Sequence, residues 1–382
     1  MMSATVFGPA GLTPTMAPAR TARSRGKAFP QRGMTRASLT TVAKASGVSL
    51  ATASRVLNPD NAHPVSAEVR ERVLAAARDL NYNVNALARG VKVGRSQTVA
   101  VMVHDLCDPY FNLISRGVSD AAEEAGYLTL VCNTDRDPDT ELRYVQLALE
   151  HRVAGILFVA GGFTSRRYAT ELRRQVAALE DYGGRAVALG PRGSGMAEET
   201  PDNVGGARAA TEHLIELGHE RIAFLDGPPE ILTSRERRAG YRDALEGAGL
   251  PFDESLVIPG HFTKDGGAAA VASLIEGGVA FTGIVTANDA MAIGCIAELS
   301  GRGVKIPRDV SLVGFDDIPD VRWFDPPLTT VRIPMREIGQ AGMRRLLSLL
   351  GEAPAPGGRR LTNVHPVELI VRGSTAPPKG FE

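Results

Sequence analysis

Residues 42–58, VAKASGVSLATASRVLN, decide how the chain begins to fold. Ser38 can cap a short helix that turns Leu39, Val42, Ala43 and Ala45 inward, and Gly47 supplies the left-handed residue that ends it. Ser49 then caps a second helix over residues 50–57. Two short helices joined by a turn of about three or four residues with glycine form a helix-turn-helix, whose second helix enters the DNA major groove. On that helix Ala53, Val56 and Leu57 face inward and Ala51, Thr52, Ser54 and Arg55 outward. Arginine suits bidentate contact with guanine, and the hydroxyls suit phosphates or base edges. After a turn over 58–64, Ser66 caps a third helix with Val69, Val73, Ala76 and Leu80 at helical spacing, completing one small core. From this pattern alone a plain helical hairpin without a DNA role stays open.

Charge bears on the same region, where the plain alternative is a basic disordered tail on a neutral enzyme, which would account for residues 1–33 but not for the helical periodicity of the basic block that follows. The 382 residues hold 43 basic and 43 acidic side chains, a balance that at face value argues against nucleic-acid binding. The distribution says otherwise. Residues 1–33 carry Arg20, Arg23, Arg25, Lys27 and Arg32 and no acid, a net of +5; residues 34–96 are again +5, leaving −10 for 97–382. A basic segment joined to a larger acidic body is the pattern of a nucleic-acid module on a second domain. The first 33 residues lack apolar periodicity and are expected to be disordered, a basic extension before a start at Met34. No apolar run approaches the roughly 18 residues of a membrane span. Cys107, Cys132 and Cys295 are odd in number with no CxxC pair, which suggests neither a disulfide framework nor a zinc site and fits a reduced cytoplasm.

From Thr98 onward short apolar runs alternate with amphipathic stretches: TVAVMV, YLTLVC, GILFVA, AVAL, IAFL, LVIP, GIVT and SLVGF. Most are separated by a helical pattern, the signature of parallel βαβ units. Eight such strands exceed one small sheet, so two doubly wound lobes are expected, with ligand bound between them at the strands' carboxyl ends.

The run 42–58, then VSAEVRERVLAAARDLNYNVNALARG at 65–90, resembles the DNA-binding headpiece and hinge of the lactose/galactose repressor family of bacterial transcription regulators. The resemblance continues through DPYF, PDNVGGARAATEHLIELGHERIAFLDGP, SRERRAGYRDAL, TANDAMAIG, VSLVGFDD, PPLTTV and ELIVRGST, over nearly all of 38–378. It implies a small all-α helix-turn-helix headpiece and an α/β two-lobed effector domain of the periplasmic-binding-protein type, built on doubly wound parallel sheets. The headpiece would span 34–82 and a hinge helix with its linker 83–96. The effector and dimerisation domain would span 97–378, with lobe 1 at about 97–200 and 331–350 and lobe 2 at about 201–330 and 360–375.

The same resemblance assigns DNA contact to Ser38, Ser49, Leu50, Ala51, Thr52, Ser54, Arg55, Asn58 and Ser66. Leu50 and Ala51 stand where the family varies with operator sequence; being apolar, they suit thymine methyl groups. The hinge corresponds to Asn85–Lys92, with Asn85, Ala88 and Arg89 at matching positions. Val91 stands where the family usually wedges a leucine between base pairs, and Val84 replaces the usual proline. For the effector, Tyr110, Phe111 and Phe262 offer stacking faces, Arg237 a grip on hydroxyls or carboxylates, and Asp289 an acceptor for two hydroxyl hydrogen bonds. Asp316 and Asp317 read as structural. Gly190 stands where sugar-responsive members often carry Asp, so one sugar-hydroxyl contact is missing.

The implied protein is a cytoplasmic repressor that binds a palindromic double-stranded operator as a homodimer and responds to a small-molecule effector, a sugar or related metabolite, without a cofactor, metal or membrane partner. The tail after Gly373 has no heptads, which favours dimer over tetramer. Two other classes compete. A sugar-binding receptor would bind ligand without DNA affinity. An enzyme on the same fold finds no motif: GPRGSG at 190–195 lacks the third glycine of a dinucleotide fingerprint, and His213 and His219 lack metal-ligand spacing.

Overall fold

The computed structural model describes residues 37–57, 65–82, 95–193, 195–354 and 361–379. The chain divides into two units, one ending at Val84 and the other beginning at Asn85.

In the first unit, α1 (Leu39–Ser46), α2 (Leu50–Leu57) and α3 (Ala67–Asp79) enclose Val42, Ala43, Ala53, Val56, Val73 and Ala77. Ser38 closes a capping box: its Oγ accepts from the Thr41 N–H at 3.2 Å, and its own N–H donates to Thr41 Oγ1 at 2.7 Å. Gly47 ends α1 at φ 65°, the left-handed region where a Cβ is strained. Two inward assignments change. Ala45 is exposed and Ser46 is buried instead, because 42, 43 and 46 share one helical face; the Ser46 hydroxyl is satisfied by donating to Val42 O at 2.7 Å. Leu80 is the half-exposed C-cap of α3, and Ala77 fills the core position.

In the second unit two six-stranded sheets lie in sequence. The first has the order β11-β5-β4-β3-β1-β2 and is parallel throughout. It comprises β1 (Thr98–Val103), β2 (Leu128–Asn133), β3 (Gly155–Val159), β4 (Arg185–Leu189), β5 (Ala197–Pro201) and β11 (Thr362–His365). Its helices are α4 (Pro109–Glu124), α5 (Pro138–Glu150), α6 (Arg166–Asp181) and, from later in the chain, α11 (Met335–Leu349). The second sheet has the order β12-β10-β9-β8-β6-β7, with only β12 antiparallel. It comprises β6 (Ile222–Asp226), β7 (Val257–Pro259), β8 (Gly283–Thr286), β9 (Ser311–Asp316), β10 (Thr329–Arg332) and β12 (Glu368–Ile370). α7 (Asn203–Glu216), α8 (Leu232–Gly247), α9 (Lys264–Glu276) and α10 (Asp289–Gly301) accompany it.

The chain crosses between sheets after β5, after β10 and after β11. The lobe limits shift accordingly: residues 362–365 pair with β5 and belong to lobe 1, whereas Val331 and Arg332 pair with β9 and belong to lobe 2. The return of α11 to lobe 1 depends on close helix approach. A Cβ on Gly117 would stand 2.0 Å from Arg336 O, and one on Gly339 2.1 Å from Ile114 O. No helix among the described residues is long and apolar enough to cross a membrane.

Candidate functional site

Two regions carry chemistry. On the headpiece, Ser49 Oγ accepts from the Thr52 N–H at 3.1 Å and fixes the start of α2. Leu50 is 51% exposed; Ala51 and Arg55 are exposed and Thr52 and Ser54 half-buried, while Ala53 and Val56 hold the helix to its core. The outer face of α2 thus offers one cation, two hydroxyls and two small apolar contacts. Ser38 and Ser66 cap α1 and α3 through their hydroxyls, Ser66 accepting from the Val69 N–H at 3.4 Å. Asn58, Asn85, Ala88, Arg89 and Val91 lie outside the described residues.

The second region is a cavity of about 40 Å³ between the lobes, at the carboxyl ends of both sheets. Lobe 1 contributes His104, Asp108, Tyr110, Phe111, Arg136 and Ala160; lobe 2 contributes Ile231, Thr233, Arg237, Phe262, Asn288 and Asp316. Local sequence explains the placement. Asp108 caps α4 through the Tyr110 N–H at 3.0 Å with Pro109 at the first helical position, so Tyr110 and Phe111 leave the first turn toward the cleft and meet edge to face at 5.1 Å. Phe262 sits in a left-handed turn at φ 59°. Arg237, buried on α8, lies 3.8 Å over the Phe315 ring; it donates to Asn203 Oδ1 at 3.0 Å, to Asp316 Oδ1 at 3.3 Å and to the Ala287 carbonyl.

Of the five residues expected in the effector site, Tyr110, Phe111, Arg237 and Phe262 converge on the cavity. Asp289 does not line it. Its Oδ1 accepts from Thr330 Oγ1 at 2.7 Å and its Oδ2 from the Ile318 N–H at 2.9 Å, so both oxygens tie α10 to β10 and to the turn after β9. The cleft-facing residue is its neighbour Asn288, which caps α10 by accepting from the Met291 N–H at 3.0 Å and donates to Phe262 O at 3.3 Å. Asp316 also faces the cavity rather than serving structure alone, while Asp317 pairs with Arg332 and Arg372 at 2.7 and 2.6 Å.

His104 was not signposted by any motif. It follows β1 directly, packs between Phe111 and Phe163 at 5.8 and 5.6 Å, and its Nε2, without a hydrogen bond, stands 3.8 Å from Glu141 Oε2. Burial lowers its pKa to about 4, opposed by Glu141, so the imidazole is neutral at pH 7. Glu141 is fully buried against Arg192, at 2.6 and 3.1 Å, and accepts from the Tyr168 hydroxyl. Burial would raise that carboxyl, but the charge and hydrogen bonds of Arg192, together with His104 and the Tyr168 hydroxyl, hold it below its ordinary value. Burial raises Asp108 and, more strongly, Asp316, with Arg136 and Arg237 respectively opposing. The missing Asp at Gly190 is built into the backbone: a Cβ there would come within 2.6 Å of the Ala160 carbonyl carbon. His219 is buried, bonded to Thr282 at 2.8 Å and Ser311 at 3.1 Å. No metal-ligating cluster occurs among the described residues.

Residues 38–85 match the family described as bacterial regulatory proteins, lacI family, and residues 211–375 match the periplasmic binding protein-like domain. The transcriptional repressor CytR of Escherichia coli (strain K12) is 34% identical over 346 residues, covering 89% of this chain and 97% of that protein. The chain belongs to the lacI family. Another lacI-family relative, the transcriptional regulator DegA of Bacillus subtilis (strain 168), is 31% identical over 88% of this chain and 97% of its own length. The lac repressor dimer solved with operator and an anti-inducer superposes with a TM-score of 0.77 at 27% identity, covering 89% of this chain and 99% of that one. A complex of the transcriptional regulator CelR with cellobiose gives 0.64 at 32% identity, over 89% of this chain and 100% of that one. The lacI-family membership makes the protein a DNA-binding transcriptional regulator with a helix-turn-helix headpiece and a periplasmic-binding-like body.

Proposed function

We propose that this lacI-family regulator is a cytoplasmic repressor that binds a palindromic operator as a homodimer and is controlled by a small polar effector held between its lobes. The observation that carries the reading is the outward face of α2, where Arg55, Thr52, Ser54, Leu50 and Ala51 stand clear of a headpiece core made by other residues. None of those side chains belongs to the headpiece core, and their chemistry is that of base-edge and phosphate contact. The hinge at Asn85–Lys92, with Asn85, Ala88, Arg89 and Val91, is assigned to the minor groove between half-sites, and Asn58 to the operator backbone.

In the cleft, Phe111 and Phe262 supply stacking faces, and Arg237, Asn288 and Asp316 supply donors and acceptors to hydroxyls or ring nitrogens. Arg136 and Arg237 face Asp108 and Asp316, a mix of donors and acceptors that suits a polyhydroxyl or heterocyclic effector. The solved relative with cellobiose and the operator-bound lac repressor support both halves of the proposal. The chemistry is binding without turnover, and no cofactor is assigned.

Footprinting of the protein's own upstream region at several salt concentrations tests this. The expected result is a protected near-palindrome whose affinity falls steeply with salt. Absence of specific protection at low salt would remove the proposal.

A further inference from the structure

The loops that follow β3 and β6 belong to different lobes, yet they pair as a short antiparallel ribbon. Phe163 stands opposite Ile231. The Thr164 N–H donates to Glu230 O at 2.8 Å, and the Leu232 N–H donates to Gly162 O at 2.9 Å. Side chains reinforce this backbone pairing. Phe163 and Ile231 are 5% and 2% exposed, and Ile231, although a lobe 2 residue, is buried in the lobe 1 cluster with Tyr168 and Phe158; Phe262 packs against the same cluster. The approach is closer than a side chain permits at Gly161, where a Cβ would lie 2.4 Å from Thr233 Oγ1 and 2.9 Å from its backbone nitrogen. Ala160, at φ 94°, redirects the chain out of β3 into the ribbon, a conformation non-glycine residues hold only where surroundings enforce it.

Ala160, Ile231, Thr233 and Phe262 also wall the cavity. Its volume is about 40 Å³, against the roughly 300–1,000 Å³ of clefts that hold small ligands. An effector of sugar or nucleoside size exceeds this space, so the cavity walls, these loops among them, must move to admit it.

We propose that residues 160–164 and 228–233 form an interlobe clasp that holds the cleft shut, and that effector entry requires the clasp to release. The clasp converts ligand binding into a change of lobe angle: a ligand that occupies the cavity competes with, or rebuilds, the same contacts that keep the lobes together. The link to the effector rests on the regulatory reading above; the clasp itself rests on the pairing.

The test uses the full-length protein without effector or DNA. Phe163 and Ile231 form a non-hydrogen-bonded antiparallel pair, with Cα atoms about 4.5 Å apart, inside the range a disulfide spans. With Cys107 and Cys132 replaced by serine, Phe163→Cys/Ile231→Cys should oxidise to an intramolecular disulfide in most molecules and leave the radius of gyration by X-ray scattering unchanged. In the wild type the Thr164 and Leu232 amides should exchange at least about 100-fold more slowly than unstructured amides. Gly161→Val should return them toward the unstructured rate and enlarge the radius of gyration, while β1 and β6 amides keep their protection. If Gly161→Val fails to fold, Ile231→Ala should give the same loss in weaker form. Rapid exchange of both amides in the wild type, or a disulfide form measurably more compact than the wild type, would overturn the clasp. Neither outcome bears on operator protection, so the clasp and the regulatory reading can fail separately.

Discussion

Asn288 and Asp289 show how much one residue decides. Both follow β8, and both carry the oxygen acceptors that a polyhydroxyl ligand would use. Asn288 is the N-cap of α10 and faces the cavity, whereas Asp289 is the first helical residue and turns about 100° away, into the packing against Thr330 and Ile318. His104 has a measurable consequence. Its folded-state pKa, lowered by burial to about 4 from 6.5, means the unfolded chain binds the proton first. Its contribution to stability is therefore complete above pH 6.5 and is lost as pH falls toward 4, on the order of 3 kcal/mol in all. Asp226 and Asp289, raised by burial to about 7, act oppositely: their contributions are complete below the usual carboxylate range and are lost as pH rises to 7. Urea denaturation of wild type and His104→Leu at pH 7 and pH 5 separates them. The variant should lose less stability on acidification than the wild type, and equal losses would place His104 outside the titrating core. Arg192→Met strands the buried Glu141 charge and should cost about 3–5 kcal/mol, while Arg192→Met/Glu141→Leu should recover much of it in the same measurement.

At the scale of elements, the returning helix α11 depends on two glycines without side chains to spare. Gly339→Val would drive a branched side chain into the Ile114 carbonyl and should destabilise lobe 1 by about 1–3 kcal/mol or more, visible as a lowered thermal midpoint; Gly301→Ala, at the end of α10 with open space around it and no left-handed backbone, should cost less. Eight of the twelve strands among the described residues were legible because each is an apolar run; six of these are buried, while β2 and β7 stand at the sheet edges and are partly exposed. The other four were not. AEETP and TNVH, at β5 and β11, are polar and finish one side of their sheet; TTVR and ELI, at β10 and β12, are three or four residues long. They hold place by backbone pairing across the lobe crossings, which leaves no hydrophobic period to read. In the cleft, Tyr110, Phe111, Arg237 and Phe262 were legible from strand-end position and motif. His104, Asp108, Arg136 and Asn288 were not, since they come from separate loops of two lobes and no motif groups them. His104 alone had a usable signal, as the residue immediately after the first buried strand.

For the whole molecule, the separation of charge governs how DNA is met. The basic excess lies in residues 1–96 and the body over 97–382 carries a net of −10, so the body is repelled by phosphate and association should run through the headpiece. The proposed binding of a palindrome by two headpieces would need a dimer, and the outer strand β2 is the surface on which its seam can be tested: Leu128 and Leu130, on the same face of the strand, are 63% and 44% exposed, and Val131 is 41% exposed. An apolar exposed edge of this kind is a liability in a monomer and an asset in an assembly. Leu130→Asp, at an exposed position, should leave the fold of each chain intact and yield monomers by sedimentation equilibrium. Each headpiece then loses the effective concentration supplied by its partner, so affinity for a palindrome should fall by about 10²–10⁴-fold and approach that for a half-site. Because half the phosphate contacts are lost, the slope of log affinity against log salt should also fall to about half. Fluorescence anisotropy across a salt series reads both quantities at once. A variant that stays dimeric would move the seam elsewhere on the body, and one that becomes monomeric with an unchanged salt slope would show that a single headpiece makes all the contacts.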